Sequence, residues 1–274
     1  MESFSNNFLK KKILVYGLGK SGLSTLKFLQ KKSEIYAYDD FNNRIKNLKL
    51  KKIIKFNKIK KIKFDKIILS PGIDIYNCKL SNFLRSNKDK IYTDLDVFFS
   101  FNKNYCITIT GTNGKSTTCQ LLYEVLRNQK FDVRLVGNIG KPILSEIKIK
   151  KKTIFVVEAS SYQLEYSKIF KSKYAVIINI SPDHIERHKT LNNYIKAKLK
   201  LIESQSKGDL AFVKKKDKLI DKGLNSIKFT SKLVKIDTKI NNSFLKKIKN
   251  NYFLNEANKE NLLFVYEISK KLNL

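Results

Sequence analysis

Apolar, largely β-branched runs recur along this chain with amphipathic stretches between them. Lys12-Ile13-Leu14-Val15-Tyr16, Ile35 to Tyr38 and Lys66-Ile67-Ile68-Leu69 read as strands in the first hundred residues. Ile107-Thr108-Ile109, Val133 to Val136, Thr153 to Val157, Tyr174 to Ile180 and Asp209 to Val213 read the same way in the remainder. The runs are nearly continuous rather than alternating, which is the pattern of strands buried on both faces. Helical spacing follows at Leu23, Leu26 and Leu29, at Gln120 to Leu126, at Leu191 to Glu203 and at Glu256 to Leu272. Strands alternating with helices predict mostly parallel sheets covered on both sides. Residues 214–250 are Lys-rich and poorly patterned, and predict only short strands and loops. No internal repeat and no Pro/Gly/Ser-rich linker divides the chain.

Two strand–turn–helix junctions carry glycines. The first, Gly17-Leu18-Gly19-Lys20-Ser21-Gly22, follows the first strand, and acidic Asp39 follows the second. Read alone, this is a dinucleotide-binding βαβ start, a signal of moderate specificity. Ser70-Pro71-Gly72, at the end of the Lys66–Leu69 strand, adds a turn where open α/β sheets bind ligands. The second junction, Thr110-Gly111-Thr112-Asn113-Gly114-Lys115-Ser116-Thr117-Thr118, reads as a triphosphate cradle. Turn amides and a helix N-terminus attract phosphate oxygens, Lys115 reaches the β/γ-phosphates, and the Ser116 hydroxyl can hold Mg²⁺. Its departure from the general phosphate-loop pattern is Ile109, where the first Gly would stand. The expected fold is α/β: a Rossmann-like parallel-sheet domain over residues 1–103, then a P-loop-type ATP-binding α/β domain over 104–274.

Composition adds bounds. The 274 residues suffice for two domains. The N-terminus does not read as a signal peptide, and no apolar run approaches the ~20 residues that span a bilayer. Cys78, Cys106 and Cys119 show no metal spacing and predict reduced thiols in a cytoplasmic protein. The net charge of +32 invites a nucleic-acid reading. Only five of the 56 basic residues are Arg, however, and phosphate forks and base edges favour Arg. No specific nucleic-acid partner is therefore expected, although nonspecific polyanion binding at low salt is.

Three further segments lie at strand ends or on the helix that follows. Glu158, opening Glu158-Ala159-Ser160-Ser161-Tyr162-Gln163-Leu164-Glu165, reads as a cation ligand or as a helix-capping carboxylate. In Asn179-Ile180-Ser181-Pro182-Asp183-His184-Ile185-Glu186-Arg187-His188, His184 reads either as a ligand or as a structural residue, and His188 as structural or supporting. Lys198, in Tyr194-Ile195-Lys196-Ala197-Lys198-Leu199, reads by itself as one of many solvated lysines.

Taken together, TGTNGKST, the Gly137–Gly140 string GNIG, EASSYQLE, NISPDHIERH and YIKAKL resemble the Mur ligases, in order along essentially the whole chain. The SSYQLE string resembles their D-glutamate-adding branch. That resemblance implies ATP-dependent joining of D-glutamate to UDP-N-acetylmuramoyl-L-alanine through an acyl phosphate. It implies an ATP site at Gly111, Thr112, Asn113, Gly114, Lys115, Ser116 and Thr117, with Asn258 and Asn261 near the adenine. It implies two Mg²⁺ ions held by Ser116, Glu158, His184 and a Lys198 carbamylated by CO₂, with Lys115, His184 and Lys198 catalytic. The first domain is then expected to bind UDP rather than a dinucleotide, through Leu18, Asp39, Ser70, Pro71 and Gly72, with Asn138 on the muramoyl group. A third, C-terminal domain common in the family is expected to be absent, or supplied as a separate chain. Asn255-Glu256-Ala257-Asn258 lacks the family's Gly and His, and Asp40-Phe41 lacks its Thr/Arg-type uridine contacts. The alternatives are a module that binds ATP and UDP-muramoyl peptide without turnover, and a ligase of different amino-acid specificity.

Overall fold

Every strand pairs parallel to its neighbours, in two sheets that belong to two compact units. The structure is a computed structural model that describes residues 7–41, 53–238, 248–253 and 255–274. The first unit comprises residues 1–103 with the segments Pro142–Ile147 and Tyr166–Phe170, and the second the rest of the chain.

In the first unit the order is β1 (Lys12–Tyr16), α1 (Lys20–Leu29), β2 (Glu34–Tyr38), α2 (Phe56–Ile59), β3 (Lys66–Leu69), α3 (Ser81–Ser86), β4 (Ile91–Tyr92) and α4 (Asp94–Phe101). The sheet runs β2-β1-β3-β4, with Ile13 opposite Ile35 on one side and Lys66 on the other. Leu14, Tyr16, Ile67, Leu69, Leu84 and Ile91 lie in one apolar cluster. Burying each such side chain stabilises the unit by roughly 1.5–3 kcal/mol. α4 begins with a capping box between Thr93 and Asp96. The other Asp96 oxygen accepts from Ser167 Oγ and from the amides of Lys168, Ile169 and Phe170 at 2.8–3.1 Å. One buried carboxylate thus fastens a sequence-distant segment into this unit.

The second unit contains β5 (Tyr105–Thr110), α5 (Lys115–Asn128), β6 (Val133–Gly137), β7 (Ile154–Glu158), α6 (Ser161–Tyr166), β8 (Tyr174–Ile177), α7 (Ile185–His188), α8 (Leu191–Glu203), β9 (Leu210–Lys214), α9 (Lys218–Leu224), β10 (Lys232–Ile236) and α10 (Glu256–Lys271). Tyr166, the last residue of α6, groups with the first unit. The sheet order is β10-β9-β8-β5-β7-β6. β5 and β7 are both interior strands and lie in register from Tyr105 opposite Ile154 to Ile109 opposite Glu158. β8 ends three residues before the expected Ile180, although Ile178 N still donates to Thr110 O at 3.1 Å.

The expectation of only short strands and loops over 214–250 is corrected by α9. Asp217 caps that helix by accepting from the amides of Leu219 and Ile220, and Ile220 and Leu224 are buried. Flanking lysines on the solvent side hide this short period in the sequence. Residues 239–247 of that stretch lie outside the described residues. Among the described residues no helix is long and apolar enough to cross a membrane.

Candidate functional site

The carboxyl ends of β5, β7 and β8 converge in the second unit, where a parallel α/β sheet places its ligands. β5 ends at Thr110, and the chain crosses Gly111 to Gly114 before entering α5. Gly114 has φ +81°, in the left-handed region that favours glycine. A Cβ there would also run into the Asn261 carboxamide, which packs against it from α10. Thr118 N donates to Gly114 O at 2.9 Å, the first α5 bond of the i to i−4 pattern. The amides of Gly114, Lys115, Ser116 and Thr117 precede that bond and sit at the positive end of a 14-residue helix.

Five side chains gather on this loop. Lys115 Nζ donates to the carbonyls of Gly111 and Thr112 at 2.9 and 2.7 Å. Ser116 Oγ donates to Glu158 Oε2 at 2.8 Å, bringing together a hydroxyl from the start of α5 and a carboxylate from the end of β7. Lys198 Nζ, on the buried face of α8, donates to Gly111 O at 2.8 Å and lies 4.5 Å from the Tyr194 ring centroid. Asn179 spans the loop's beginning, its Oδ1 accepting from Thr112 N and Asn113 N.

Lys198 is 2% exposed, so it is not the solvated lysine that its sequence context suggests. Burial, and then the positive charge of Lys115, pull its amine down from 10.5 to about 7, with Asp183 opposing. A large neutral fraction at neutral pH makes this amine a nucleophile, which a surface lysine is not.

Glu158 is 3% exposed and held from its backbone. Its carbonyl accepts from Asn138 N at 3.0 Å, and a Cβ on Gly137 (φ +108°) would collide with it. The glycine of GNIG therefore lets β6 approach the end of β7. The Asn138 side chain itself is exposed.

His184 is not drawn into this cluster by any hydrogen bond among the described residues. Its imidazole is 44% exposed, with Nε2 3.4 Å from Asp183 Oδ2. It lies 5.0 Å from the Tyr162 ring. His188 is buried, with Nε2 2.9 Å from Ser161 Oγ and its ring stacked on Tyr162. Among the described residues no group of three or more His, Cys, Asp or Glu side chains converges as metal ligands. Any divalent site here must therefore include oxygens from other groups, and Ser116 offers one. The Ser116 hydroxyl and the Glu158 carboxylate, already hydrogen-bonded, bring two such oxygens together.

Asn258 and Asn261 share a face of α10 at i, i+3. Asn261 is 4% exposed beside Gly114, whereas Asn258 Nδ2 donates to Tyr252 O at 2.8 Å.

In the first unit, the expected UDP residues cluster at the carboxyl ends of β1, β2 and β3. Leu18 N donates to Asp39 Oδ2 at 2.6 Å and Phe41 N to Asp39 Oδ1 at 2.9 Å. Ser70 Oγ donates to Gly17 O at 2.6 Å. Leu18 is 2% exposed, and its amide is already taken by Asp39. Pro71 and Gly72 continue the Ser70 turn, and a Cβ on Gly72 would meet nothing within 4 Å.

Sequence reasoning left Asn179 and Tyr194 without roles, although both stand in the quoted strings. Tyr194 OH is 3.0 Å from Thr112 Oγ1. A lone Asn between Ile178 and Ile180, two residues past β8 and inside the run read as a strand to Ile180, is the signal that was available.

Comparison with known proteins gives the family. Residues 109–272 match the Mur ligase middle domain, and residues 11–91 match the Mur ligase MurD-like N-terminal domain. A UDP-N-acetylmuramoylalanine--D-glutamate ligase of Rickettsia bellii is 39% identical over 209 residues, covering 74% of this chain and 46% of the relative. The ligase of the same name from Elusimicrobium minutum is 36% identical, covering 82% of this chain and 52% of the relative. The chain thus spans about half the length of these relatives. The crystal structure of a UDP-N-acetylmuramate:L-alanyl-gamma-D-glutamyl-meso-diaminopimelate ligase from Neisseria meningitides superposes with a TM-score of 0.62 at 15% identity. It covers 97% of this chain and 94% of that one, a likeness of fold. By these matches, the chain belongs to the Mur ligase family.

Proposed function

We propose that this chain carries the nucleotide and muramoyl-substrate machinery of an ATP-dependent, ADP-forming D-glutamate ligase acting on UDP-N-acetylmuramoyl-L-alanine in the cytoplasm. The observation that carries the reading is the Ser116–Glu158 bond at the mouth of the phosphate loop, with Lys198 buried against the same loop. Relatives at 36–39% identity that bear the D-glutamate ligase name support the choice of substrates.

In this reading the α5 amides and Lys115 hold the ATP phosphates. Lys115 leaves the loop carbonyls to follow the charge that spreads over the transferred phosphoryl group. Asn261 and Asn258 face the base side of the nucleotide. Ser116 and Glu158 would hold Mg²⁺, with His184 and a carbamylated Lys198 as further ligands. The metal supplies charge neutralisation at the phosphate oxygens. Lys198 reaches its carbamate when the neutral amine nitrogen attacks the carbon of CO₂. An N–C bond forms, one C=O electron pair moves to oxygen, and one N–H proton leaves to solvent. A buried cation becomes an anion, which suits a metal site. The substrate carboxylate takes the γ-phosphoryl group, and the D-glutamate amine displaces phosphate from the acyl phosphate. In the first unit, Leu18, Asp39 and the Ser70-Pro71-Gly72 turn would hold UDP. Asn138 is the proposed contact to the muramoyl group.

The test is phosphate release and amide formation with ATP, Mg²⁺, bicarbonate, UDP-N-acetylmuramoyl-L-alanine and D-glutamate. It is run with and without the separately expressed C-terminal domain of a relative, with other amino acids in parallel. D-Glutamate-dependent amide in either arm supports the reading. Bound ATP and UDP-muramoyl substrate without turnover in both arms would replace it with a binding module. Product with another amino acid only would change the specificity.

A further inference from the structure

The beginning of the phosphate loop is held by a residue to which the proposed function gives no part. Asn179 follows β8 at the point where its ladder with β5 opens out. Its backbone carbonyl accepts from Thr112 N at 3.1 Å. Its Oδ1 accepts from Thr112 N at 3.1 Å and Asn113 N at 3.0 Å, and its Nδ2 donates to Asn113 O at 3.2 Å. Two donors face one end of the carboxamide and a carbonyl faces the other, so only one orientation of the amide satisfies all three bonds. The neighbouring residues extend the clamp: Ser181 N donates to Thr112 Oγ1 at 3.0 Å, and Thr112 Oγ1 is 3.2 Å from Ser181 O. No other side chain among the described residues bonds the two leading amides of the loop.

We propose that Asn179 is the positioning residue of the phosphate loop. By occupying the amides of Thr112 and Asn113, it fixes the loop's shape before nucleotide arrives. It leaves the phosphate-facing set as the amides of Gly114, Lys115, Ser116 and Thr117. Ordering a glycine-bearing loop costs conformational entropy, and a loop ordered in advance does not charge that cost to nucleotide binding. An Asp at this position could accept from both amides but would set a carboxylate against Asn113 O and near the phosphates. A Ser is too short to span both amides. The inference rests on the reading of this loop as a phosphate site, and its test separates the two.

The test is residue-resolved amide exchange by NMR on the wild-type chain, with and without Mg²⁺ and ADP, together with ADP affinity by calorimetry. Thr112 and Asn113 amides are expected to be protected without ADP and to change little when it binds. Gly114 to Thr117 gain protection on binding. Asn179→Ala is expected to lose protection at Asn113, with Thr112 partly protected by the Asn179 backbone carbonyl that remains, and to weaken ADP roughly tenfold or more, as the loss of several hydrogen bonds implies, at an unchanged melting temperature. A role in folding alone would instead lower the melting temperature and leave affinity intact in the folded fraction. Asn179→Ser serves if the alanine variant does not fold. Thr112 and Asn113 amides that exchange freely in the wild-type chain without ADP, or variant affinity within twofold of wild type, overturn the proposal. A wild-type chain that binds no ADP sinks the phosphate-site reading, and the apo exchange pattern still decides whether Asn179 presets the loop.

Discussion

The two glycine-bearing turns of this molecule have the same local form and opposite electrostatics. Each follows a buried parallel strand and feeds a helix. In the first, the Leu18 amide is answered by the Asp39 carboxylate, and the Gly17 carbonyl by Ser70. In the second, the leading amides are answered by the neutral carboxamide of Asn179, and Lys115 and Ser116 follow at the helix start. A carboxylate bonded to the Leu18 amide disfavours phosphate at that one amide, whereas the open amides beyond a carboxamide, with a lysine beside them, attract it. The difference teaches that glycine spacing specifies a turn that lets backbone approach backbone. The ligand is specified by which side chains answer the turn's amides.

The glycines themselves offer the largest way to break the comparison. A Cβ on Gly22 would drive into the Gly17 carbonyl, a backbone atom that cannot give way. Gly22→Ala is expected to cost about 3 kcal/mol or more and to unfold the first unit first, read as loss of its amide protection while the second unit's persists. Next, Lys115→Ala removes the loop's mobile cation, and ATP affinity is expected to fall roughly 10- to 100-fold with the melting temperature almost unchanged. Binding of the UDP-muramoyl substrate should not move.

A smaller effect comes from Lys198. Its amine sits at about 7 in the folded chain against 10.5 ordinarily. Between those values the unfolded chain holds the proton and the folded chain does not, so stability rises with pH across that window. Below about 7 both states are protonated and the full cost of burying the charge is carried. Lys198→Met is therefore expected to melt a few degrees above wild type at pH 6 in CO₂-free buffer, and the difference to shrink toward pH 10. A difference that is constant with pH contradicts the shift. The smallest effect is Gly19→Ala. A Cβ at Gly19 meets nothing within 4 Å and its φ is −72°. Stability should stay within about 0.5 kcal/mol, which separates the one spare glycine of the GLGKSG string from the two that are sterically required.

Much of this was legible in the sequence, because buried parallel strands are written as continuous apolar runs. β1, β3 and α8 start and end where periodicity places them. The turn from Gly111 to Gly114 was legible as a strand-to-helix junction for a different reason: its glycines and Lys-Ser have few other uses in that order. What stayed hidden depends on long-range contact. Nothing near Lys198 in sequence says that α8 turns that lysine onto the Gly111 carbonyl rather than into solvent. Asn179 bonds residues 66 and 67 positions away, and Asp96 reaches 71 to 74 positions to hold residues 167–170. The α9 helix was missed because its core side is only Ile220, Gly223 and Leu224 amid lysines.

The central claim is that two turns of one form take two different ligands. Calorimetric titration of Mg²⁺·ATP, of UDP-N-acetylmuramoyl-L-alanine and of NAD into the wild-type and Lys115→Ala chains tests it most directly. The account predicts that the wild-type chain binds the first two and not NAD, and that Lys115→Ala loses ATP alone. NAD binding that competes with the UDP substrate, or ATP binding that survives Lys115→Ala unchanged, would contradict it.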